Sequence, residues 1–370
     1  MSRQAEDFLV VQAKPLTIFC ERTFRAAGVP REDASITAEV LVAANLRGID
    51  SHGVARLRRY VNGLRQGVMC PRPEVRIVHE TPLTALVDGG GGLGQPIGVR
   101  AMRLSIAKAE THGVGFVAVR NSNHYGIAGY YAMMALEHDL IGLSLTNSGP
   151  YVVPTFGREA ILGTNPLSVA VPTGQERPFV LDMSTAVATL GTLEVYNRRG
   201  QQLLPGWASN AQGEPTTSPA EVLRNLADRK GGGIMPLGGM GEEHGGHKGY
   251  GLSLLVDILC GVLPGAGYLD HIYLKDEAGH LLPANVGHFF GALRVDLFRP
   301  LPDFRAAMDT FIQRVKSSAR AEGQSRIFIH GEKEFEMAEW RQREGIPLSP
   351  KVVALLRQIA TELDMEFDLG

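Results

Sequence analysis

Residues 50–60 read DSHGVARLRRY, and their spacing predicts a helix with a chemically active face. We expect this helix to open at Ser51. The polar side chains that follow at intervals of four then share one face: His52, Arg56 and Tyr60. Arginine offers a planar, bidentate contact to a carboxylate, and histidine exchanges a proton near neutral pH. The stretch therefore predicts a site for a small carboxylate substrate, although a surface helix with solvated charges gives the same pattern.

The bulk composition is that of an enzyme-sized protein without a polyanionic partner. The chain has 370 residues, enough for a large core, and a formal net charge of −2 with 21% charged residues. Basic residues form no dominant run, so we expect no nucleic acid partner. The three scattered cysteines fit neither a disulfide framework nor a zinc ribbon: Cys20, Cys70 and Cys260.

The most apolar window, residues 249–267, predicts a buried helix and no membrane contact. Asp257 interrupts this window and Pro264 ends it after roughly 14 helical residues, fewer than a membrane span needs. The N-terminal sequence MSRQAEDFLV lacks the basic and then apolar pattern of a secretory leader. We therefore expect a cytoplasmic protein.

The element pattern divides the chain into three segments and predicts an α+β fold. Residues 1–80 read as helices, residues 81–299 as short strands between Gly, Pro and Asn turns, and residues 300–370 as helices again. Two helices interrupt the strands, near 96–111 and 249–263. The predicted strands are TALVD (84–88), GFVAV (115–119), IGLSLT (141–146), LSVAVP (167–172), PFVLDM (178–183), GTLEVY (191–196), HFFGALRVDL (288–297) and RIFIHG (326–331).

Residues 89–94, GGGGLG, match the dinucleotide pattern G-x-G-x-x-G between a predicted strand and a predicted helix. The next strand ends in Arg120, where such a fold binds a 2′-phosphate. Consecutive glycines match this pattern in any glycine-rich loop, however. The strands downstream also lack the regular βαβ alternation of a doubly wound sheet. We therefore do not expect a Rossmann unit here.

Polar residues follow several predicted strands and are candidates for a cleft. Residues 121–126 read NSNHYG, and His124 within them is a candidate acid or base. Residues 146–150 (TNSGP) and 163–166 (GTNP) carry hydroxyl and amide groups that suit a carboxylate or a phosphate. The same residues are ordinary in turns, and a structural histidine fits position 124 equally well.

Residues 237–251, LGGMGEEHGGHKGYG, allow two interpretations. Glu243, His244 and His247 hint at a metal ion, but a glycine-rich loop without a further ligand at fixed spacing does not favour one. Lys248 stands at the start of an apolar helix, where its charge opposes the helix dipole. An anion such as a cofactor phosphate is therefore expected nearby.

Together and in order, these motifs resemble the malate/L-lactate dehydrogenase family of the non-Rossmann type. The resemblance runs from about residue 5 to the C-terminus and includes the related sulfolactate, ureidoglycolate and diketogulonate dehydrogenases and cyclic-imine 2-carboxylate reductases. The segments that carry it are SHGVARLRRYVNGLRQG (51–67), NSNHYGIAGYYA (121–132), TNSGP (146–150), LGTNPLSVAVP (162–172), VLDMST (180–185), PTTSP (215–219), HKGYGLSLLVDILCGVL (247–263), IHGEKEFE (329–336) and REGIPLSP (343–350).

The resemblance implies a function and a mixed α+β fold. It implies an oxidoreductase that interconverts a small 2-oxo acid and 2-hydroxy acid with NAD or NADP. The cofactor would bind to a largely antiparallel, non-Rossmann sheet, flanked by helical segments from the N- and C-termini that pack together. Members are typically homodimers with the site near the subunit interface, so we expect a homodimer that binds a small carboxylate.

The resemblance also implies residue roles. His52 or His124 would exchange the proton, Ser51 would orient His52, and Arg56 would clamp the substrate carboxylate. Further substrate contacts are implied at Tyr60, Thr164 and Asn147. Cofactor contacts are implied at Ser148, Asp182, Met183, Ser184, Thr185, His247, Lys248, His330, Gly331 and Glu332.

Several alternatives stay open at the level of sequence. Thr192 stands where many members carry a charged residue, so a diketogulonate or cyclic-imine 2-carboxylate reductase on the same site is an alternative. A metal-dependent hydrolase or lyase would use Glu243, His244 and His247. A third alternative is a nucleotide-binding module that does not catalyse.

Overall fold

The computed structural model describes residues 8–369, which fold around one large central sheet. The strands are β1 (Leu9–Val11), β2 (Arg76–Glu80), β3 (Thr84–Asp88), β4 (Val114–Ser122), β5 (Leu140–Thr146), β6 (Leu167–Val171), β7 (Phe179–Met183), β8 (Ala208–Ser209), β9 (Pro215–Thr216), β10 (Gly233–Ile234), β11 (Val286–Arg294) and β12 (Ile346–Leu348). Seven strands form the central sheet in the order β2-β3-β4-β11-β5-β6-β7. All neighbours in it are antiparallel except β3 and β4.

Helices cover the sheet and form a separate layer. The α-helices are α1 (Ala13–Ala26), α2 (Arg31–Leu46), α3 (Leu57–Arg65), α4 (Gly94–His112), α5 (Ala128–Met134), α6 (Leu190–Arg198), α7 (Pro219–Asp228), α8 (Gly246–Asp257), α9 (Leu301–Lys316), α10 (Glu332–Glu344) and α11 (Pro350–Glu362). One turn of π-helix (Ile258–Val262) extends α8. Within residues 8–369, none of these helices has the length and apolar character that crossing a membrane requires.

The two chain ends pack into one helical layer. Helices α1, α2, α3 and α11 share an apolar core in which Leu16, Leu41, Leu57, Leu356 and Ile359 are fully buried. Strands β1 and β12 pair beside this core. The C-terminal helices therefore support α3, the helix that follows the stretch 50–60.

Strand direction brings four polar turns to one edge of the central sheet. Strands β4 and β5 both run antiparallel to β11, which lies between them, so their carboxyl ends at Ser122 and Thr146 lie at the same edge. Strand β6 is antiparallel to β5, and β7 is antiparallel to β6. The turn before Leu167 and the turn after Met183 therefore reach that edge as well.

The prediction of a mixed fold with a largely antiparallel sheet and flanking terminal helices is confirmed, but two predicted strands are wrong. Residues 191–196 lie in α6, whose start is capped by Thr189 Oγ1 accepting the Thr192 amide at 3.2 Å. Residues 326–331 form no strand, although the His330 carbonyl accepts the Val180 amide of β7 at 3.0 Å. Cofactor binding by the sheet stays a prediction.

Candidate active site

The stretch 50–60 forms two 3₁₀ turns before α3, so the predicted helix from Ser51 is wrong up to residue 56. The turns span Asp50–His52 and Val54–Arg56. Gly53 between them is extended, with φ −86° and ψ −150°, which interrupts helical hydrogen bonding. The chain reaches α-helical geometry at Leu57.

The side chain of Asn45 shapes the corner between the two turns. Its Nδ2 donates to Asp50 at 2.6 Å, and its Oδ1 accepts the Val54 amide at 2.8 Å. An added Cβ at Gly53 would lie 2.1 Å from Asn45 Oδ1, so the close approach requires glycine. Arg341, from α10, donates to both carboxylate oxygens of Asp50 at 2.7 and 3.0 Å. The turn that carries His52 is therefore held from the C-terminal segment.

Two imidazoles from distant parts of the chain face each other at this corner. The rings of His52 and His124 are stacked, with centroids 5.6 Å apart. Ser51 Oγ lies 2.9 Å from His52 Nδ1, as the predicted orienting role requires. His124 Nδ1 lies 2.6 Å from the Tyr60 hydroxyl and 3.4 Å from the Gly126 amide, both of which donate to it when the hydrogen is on Nε2. The Nε2–H of His124 is thus left to donate to a ligand.

The glycine loop at residues 89–94 positions His124. The loop does join parallel strands through α4, but the amides of residues 89–92 all donate within the protein and none is free for a phosphate. An added Cβ at Gly94 would lie 2.1 Å from the Asn123 carbonyl. Arg120 is paired with Asp88 at 3.0 Å. The loop therefore packs against the His124 turn.

Burial and nearby guanidinium groups favour neutral imidazoles. Burial first, and then the charges of Arg56 and Arg59, lower the pKa of His52 to about 4. Burial, followed by Arg59 and then His52, lowers the pKa of His124 well below its ordinary value. Both rings are therefore uncharged at neutral pH in the free protein, and an anion bound beside the arginines would favour their protonation.

Two arginines flank the imidazoles without an acidic partner. Arg56 Nε donates to the Ser51 carbonyl at 2.7 Å. Its Nη2 would lie 3.9 Å from a Cβ added at Gly191. Arg59 lies nearly one helical turn further on. Across residues 8–369, no carboxylate oxygen lies within the 4.0 Å ion-pair limit of either guanidinium group. Sequence analysis missed Arg59, although a second arginine three residues after Arg56 was a visible signal.

Predicted substrate and cofactor residues form one hydrogen-bonded network at the sheet edge. Ser148 Oγ accepts the Thr164 amide at 2.9 Å and lies 3.2 Å from Thr164 Oγ1. The Thr164 carbonyl accepts the Ser184 hydroxyl at 3.0 Å and the Thr185 amide at 2.9 Å. The amide of Leu237 donates to the Thr185 carbonyl at 2.8 Å. The turn before α8 is thereby tied to the same network.

Asn147, a predicted substrate contact, is a structural residue. Its side chain is 1% exposed. Its Nδ2 donates to Asp257 at 2.9 Å and to the Gly267 carbonyl at 2.7 Å, while its Oδ1 accepts the Gly287 amide at 3.0 Å. Both amide hydrogens are used within the protein, so the geometry does not support a substrate contact.

Asp182, which was predicted to contact the cofactor, lies on β7 and contacts helix α5. Asp182 Oδ2 accepts the Gly129 amide, near the start of α5, at 2.8 Å. Burial raises the pKa of Asp182 to about 6, against the opposing effects of that amide and of Arg47. Met183 pairs with Leu167 at the end of the strand. Asp182 therefore lies at the start of α5, close to the cation of Arg47.

The segment of residues 330–332 lies at the opposite end of β7 from Ser184. An added Cβ at Gly331 would lie 3.0 Å from Val180 Cβ. Glu332 opens α10 and pairs with Lys316 at 2.7 Å. The predicted cofactor residues on and beside β7 are thus spread along the strand, while Ser148 follows β5 and His247 and Lys248 lie on α8.

In the first turn of α8, His247 and Lys248 are exposed and lie between the buried Gly246 and Gly249. An added Cβ at Gly249 would lie 2.2 Å from the Leu237 carbonyl, so glycine permits the tight approach of this turn to the sheet edge. Within residues 8–369 no three His, Cys, Asp or Glu side chains are grouped as metal ligands would be. The described structure therefore gives no support to a metal site at Glu243, His244 and His247.

A buried histidine that sequence analysis did not single out supports the site from behind. His288 on β11 is fully buried. Its Nδ1 lies 2.8 Å from Thr146 Oγ1 and its Nε2 lies 2.8 Å from Ser122 Oγ, so it bridges the ends of β5 and β4. Its ring is parallel to that of Tyr125 at 4.5 Å. His288 thereby fixes the two strand ends that lead to His124 and Ser148.

Known proteins share this architecture over nearly their whole length. A family model described as malate/L-lactate dehydrogenase matches residues 11–357. A malate dehydrogenase of Pyrococcus abyssi is 47% identical over 98% of this chain and 97% of its own length. An L-sulfolactate dehydrogenase of Methanocaldococcus jannaschii is 38% identical over 92% of this chain and 93% of its own. The solved structure of a Pyrococcus horikoshii malate dehydrogenase superposes with a TM-score of 0.88 at 45% identity and covers 99% of both chains.

The fold brings two imidazoles together beside arginines that have no acidic partner among residues 8–369, an arrangement chemically suited to acid–base work on an anion. With the comparisons, the chain belongs to the malate/L-lactate dehydrogenase family. It is therefore an oxidoreductase of a family that acts on CH–OH groups, and the family implies a nicotinamide cofactor.

Proposed function

We propose that this protein interconverts a small 2-oxo acid and the corresponding 2-hydroxy acid with NAD(H) or NADP(H). The observation that carries the proposal is the stacked pair His52 and His124, 5.6 Å apart, beside the guanidinium group of Arg56. A 2-hydroxy acid needs this combination, a cation for its carboxylate and a base for the adjacent hydroxyl. The names of the relatives, malate dehydrogenase and L-sulfolactate dehydrogenase, agree with it.

The chain's own residues supply binding and proton transfer. Arg56 binds the carboxylate, and the imidazole pair takes the hydroxyl proton during oxidation and returns it during reduction. In the free protein the neutral ring of His52 can take this proton, whereas His124, in the tautomer set by Tyr60 and Gly126, presents its Nε2–H to the substrate oxygen. In reduction, the charge of the bound 2-oxo acid offsets the arginines and favours the protonated imidazole. Such general acid–base assistance is worth roughly 10²–10⁴ in rate.

The donor set around the Thr164 network and α8 fits a nicotinamide dinucleotide. The hydroxyl groups of Ser148, Thr164 and Ser184 suit ribose and amide groups. The twelve-residue helix α8 offers its N-terminus and Lys248 to phosphate. Asp182, Met183, Thr185 and residues 330–332 on or beside β7, together with His247 on α8, complete the proposed contact set. When bound, the nicotinamide supplies or accepts the hydride at the substrate's C2.

A substrate panel tests the proposal. We expect reduced cofactor to be consumed with at least one of glyoxylate, pyruvate, oxaloacetate, sulfopyruvate, 2,3-diketogulonate and piperideine-2-carboxylate. Running each with NADH and NADPH also decides the cofactor and tests the reductase alternative. Binding of reduced cofactor without turnover on the whole panel would favour the non-catalytic module. Stoichiometric zinc or iron with hydrolytic activity would favour the metal-dependent alternative.

Variants at the two histidines assign the proton-exchanging residue. We expect His52→Ala or His124→Ala, whichever removes the acid–base group, to lower kcat at saturating substrate. The other variant should mainly raise KM. Arg56→Gln should raise KM for every accepted 2-oxo acid, by roughly 30-fold or more, because a buried carboxylate loses its cation. Unchanged KM in Arg56→Gln would contradict the clamp.

We also propose that the protein acts as a homodimer. An apolar stripe runs along α8, the helix that bears Lys248, and along its π-helical extension. Its exposed members are Leu252, Leu255, Ile258, Val262 and Leu263, with 37–59% of each residue accessible. Contiguous exposed apolar surface of this kind usually marks a contact. Light scattering should give a dimer for the native chain and a monomer for Ile258→Glu, and a native monomer would contradict the proposal.

The cytoplasmic location stays a prediction.

A further inference from the structure

The turn that carries His52 has little local structure to hold it in place. Residues 50–56 form two 3₁₀ turns closed by i to i+3 backbone bonds, and the bond from the Gly53 amide to the Asp50 carbonyl is long at 3.3 Å. Hydrogen-bond geometry in such turns is poorer than in an α-helix, and the glycine between them is conformationally permissive. The orientation of His52 must therefore be fixed by contacts from outside this stretch.

Arg341, near the end of α10, makes the contact that reaches furthest along the chain. Its Nη1 donates to Asp50 Oδ1 at 2.7 Å and its Nη2 donates to Asp50 Oδ2 at 3.0 Å. Its Nη1 also donates to the Asn45 carbonyl in the last turn of α2. A two-bond contact between guanidinium and carboxylate fixes direction as well as distance. Arg341 thus holds the residue two positions before His52 in a defined orientation relative to α2 and α10.

The burial of the pair indicates that it does more than dock α10. Arg341 is 7% exposed, whereas half of the Asp50 side chain is accessible. Water can solvate the Asp50 carboxylate without Arg341, so the buried cation is the member that needs a partner. An apolar side chain of similar volume usually stabilises a fold at least as well as a buried ion pair. Met337, one turn earlier on α10, already lies against Gly48 in this way. What the ion pair adds is a fixed geometry.

The first 3₁₀ turn in its turn organises two functional side chains. The Ser51 carbonyl accepts Arg56 Nε at 2.7 Å, and Ser51 Oγ lies 2.9 Å from His52 Nδ1. Both side chains are therefore positioned by the residue next to Asp50. A displacement of Asp50 would move the imidazole and the guanidinium group together. A misplacement of about 1 Å in an active site can cost roughly 100-fold in rate.

We infer that Arg341 is a positioning residue that acts through Asp50: it fixes the first 3₁₀ turn and thereby holds His52 and Arg56 in the geometry that proton transfer and carboxylate binding require. The inference rests on the proposed function and adds to it a residue 291 positions from Asp50 in the chain. Arg341 itself directs its guanidinium group at Asp50 and at the Asn45 carbonyl, so it acts on the substrate only through the turn.

A double-mutant cycle with steady-state kinetics tests this role. We expect Arg341→Met and Asp50→Asn each to lower kcat/KM for an accepted 2-oxo acid by roughly 10- to 100-fold, with a lower kcat and a higher KM because both side chains shift. The double variant should lose no more than Arg341→Met alone, because both substitutions break one contact. Arg341→Lys should recover part of the activity, because it restores the charge without the fork. The dissociation constant of the reduced cofactor should stay within about threefold of the native value in every variant, since the substitutions leave the proposed cofactor residues in place.

Arg343→Gln is the matched control, since Arg343 is exposed in the same last turn of α10. It should retain the native kcat/KM. Native kcat/KM in a folded Arg341→Met would overturn the inference, as would additive losses in the double variant or an equal loss of cofactor binding, which a merely structural role would give. Should Arg341→Met not fold, native kcat/KM in both Asp50→Asn and Arg341→Lys would overturn it.

Hydrogen exchange separates this inference from the proposed function. If the native protein turns over no 2-oxo acid, the proposed function fails, but the hold of Arg341 on the turn can still be measured. The backbone amides of residues 52–56 should then exchange roughly tenfold or more faster in Arg341→Met than in Arg343→Gln. Equal exchange in the two variants would overturn the inference.

Discussion

The hydroxyl of Tyr60 lies 2.6 Å from Nδ1 of His124, and the Tyr60 side chain is fully buried. We therefore expect Tyr60 to position His124, although it was predicted as a substrate contact. Tyr60 donates to one ring nitrogen and leaves the hydrogen of His124 on the other. A residue of the helical core thus sets the tautomer of a residue at the edge of the sheet.

Tyr60→Phe tests this relationship. We expect kcat to fall roughly 10- to 100-fold, part of the 10²–10⁴ that acid–base catalysis supplies, because the His124 ring loses its orientation and tautomer control. The substrate KM should change less than threefold, because Arg56 is untouched. Unfolding free energy should drop by only about 1 kcal/mol, the usual worth of one hydrogen bond. A large rise in KM with normal kcat would return Tyr60 to the role of substrate contact.

The lowered histidine pKa values predict an unusual pH profile. In oxidation the base must be neutral, so activity is lost as the pH falls through its pKa. An unperturbed histidine would give that loss near pH 6.5. Because the pKa of His52 is about 4 and that of His124 is also lowered, kcat/KM for a monocarboxylic 2-hydroxy acid should persist down to roughly pH 5.

The matched variant for the pH profile is Arg59→Gln. Removing one cation favours the imidazolium ion, so the acid limb of kcat/KM should move to higher pH while keeping its shape. The limb should not reach the ordinary histidine value, because burial is the larger cause of both shifts. A native profile with its midpoint between pH 6 and 7 would show that neither histidine of the pair is the base in the free enzyme.

Much of the site was predictable because its parts are local. The turns NSNHYG, TNSGP and GTNP each adjoin a strand with a clear apolar pattern, and antiparallel pairing then gathers them at one edge. His52 and Arg56 lie in a short segment whose residue types alone indicate carboxylate chemistry. That indication does not depend on the predicted helix, which the structure replaces with two 3₁₀ turns.

The rest depends on partners that lie far apart in the chain. Nothing near Asn147 shows that its amide is taken by Asp257, 110 residues away, so its structural role could not be predicted. The same holds for His288, whose hydroxyl partner on β4 is 166 residues away. The GTLEVY segment is rich in strand-forming residues, but the local cap from Thr189 to Thr192 starts a helix instead.

His288 should make the fold sensitive to mild acid. Burial lowers its pKa to about 3, so below pH 6.5 the unfolded chain binds a proton that the folded chain does not. This single group should remove about 2 kcal/mol of stability by pH 5. Denaturant unfolding of His288→Gln should show a correspondingly smaller loss between pH 7 and pH 5. His79→Gln, on the exposed strand β2, is the control and should behave as the native chain. Parallel losses in all three proteins would contradict the assignment.

Gly94→Ala decides what the glycine loop does. The new Cβ would lie 2.1 Å from the Asn123 carbonyl and 2.7 Å from the His124 carbonyl, so the turn that carries His124 must move. We expect kcat to fall at least tenfold, while the dissociation constant of the reduced cofactor, measured by fluorescence, stays within threefold. A phosphate-binding loop would give the opposite result, weak cofactor binding with little change in kcat at saturation. Gly251→Ala is the matched control, since its added Cβ meets nothing within 4 Å on α8, and it should retain kcat and gain roughly 0.5–1 kcal/mol of stability.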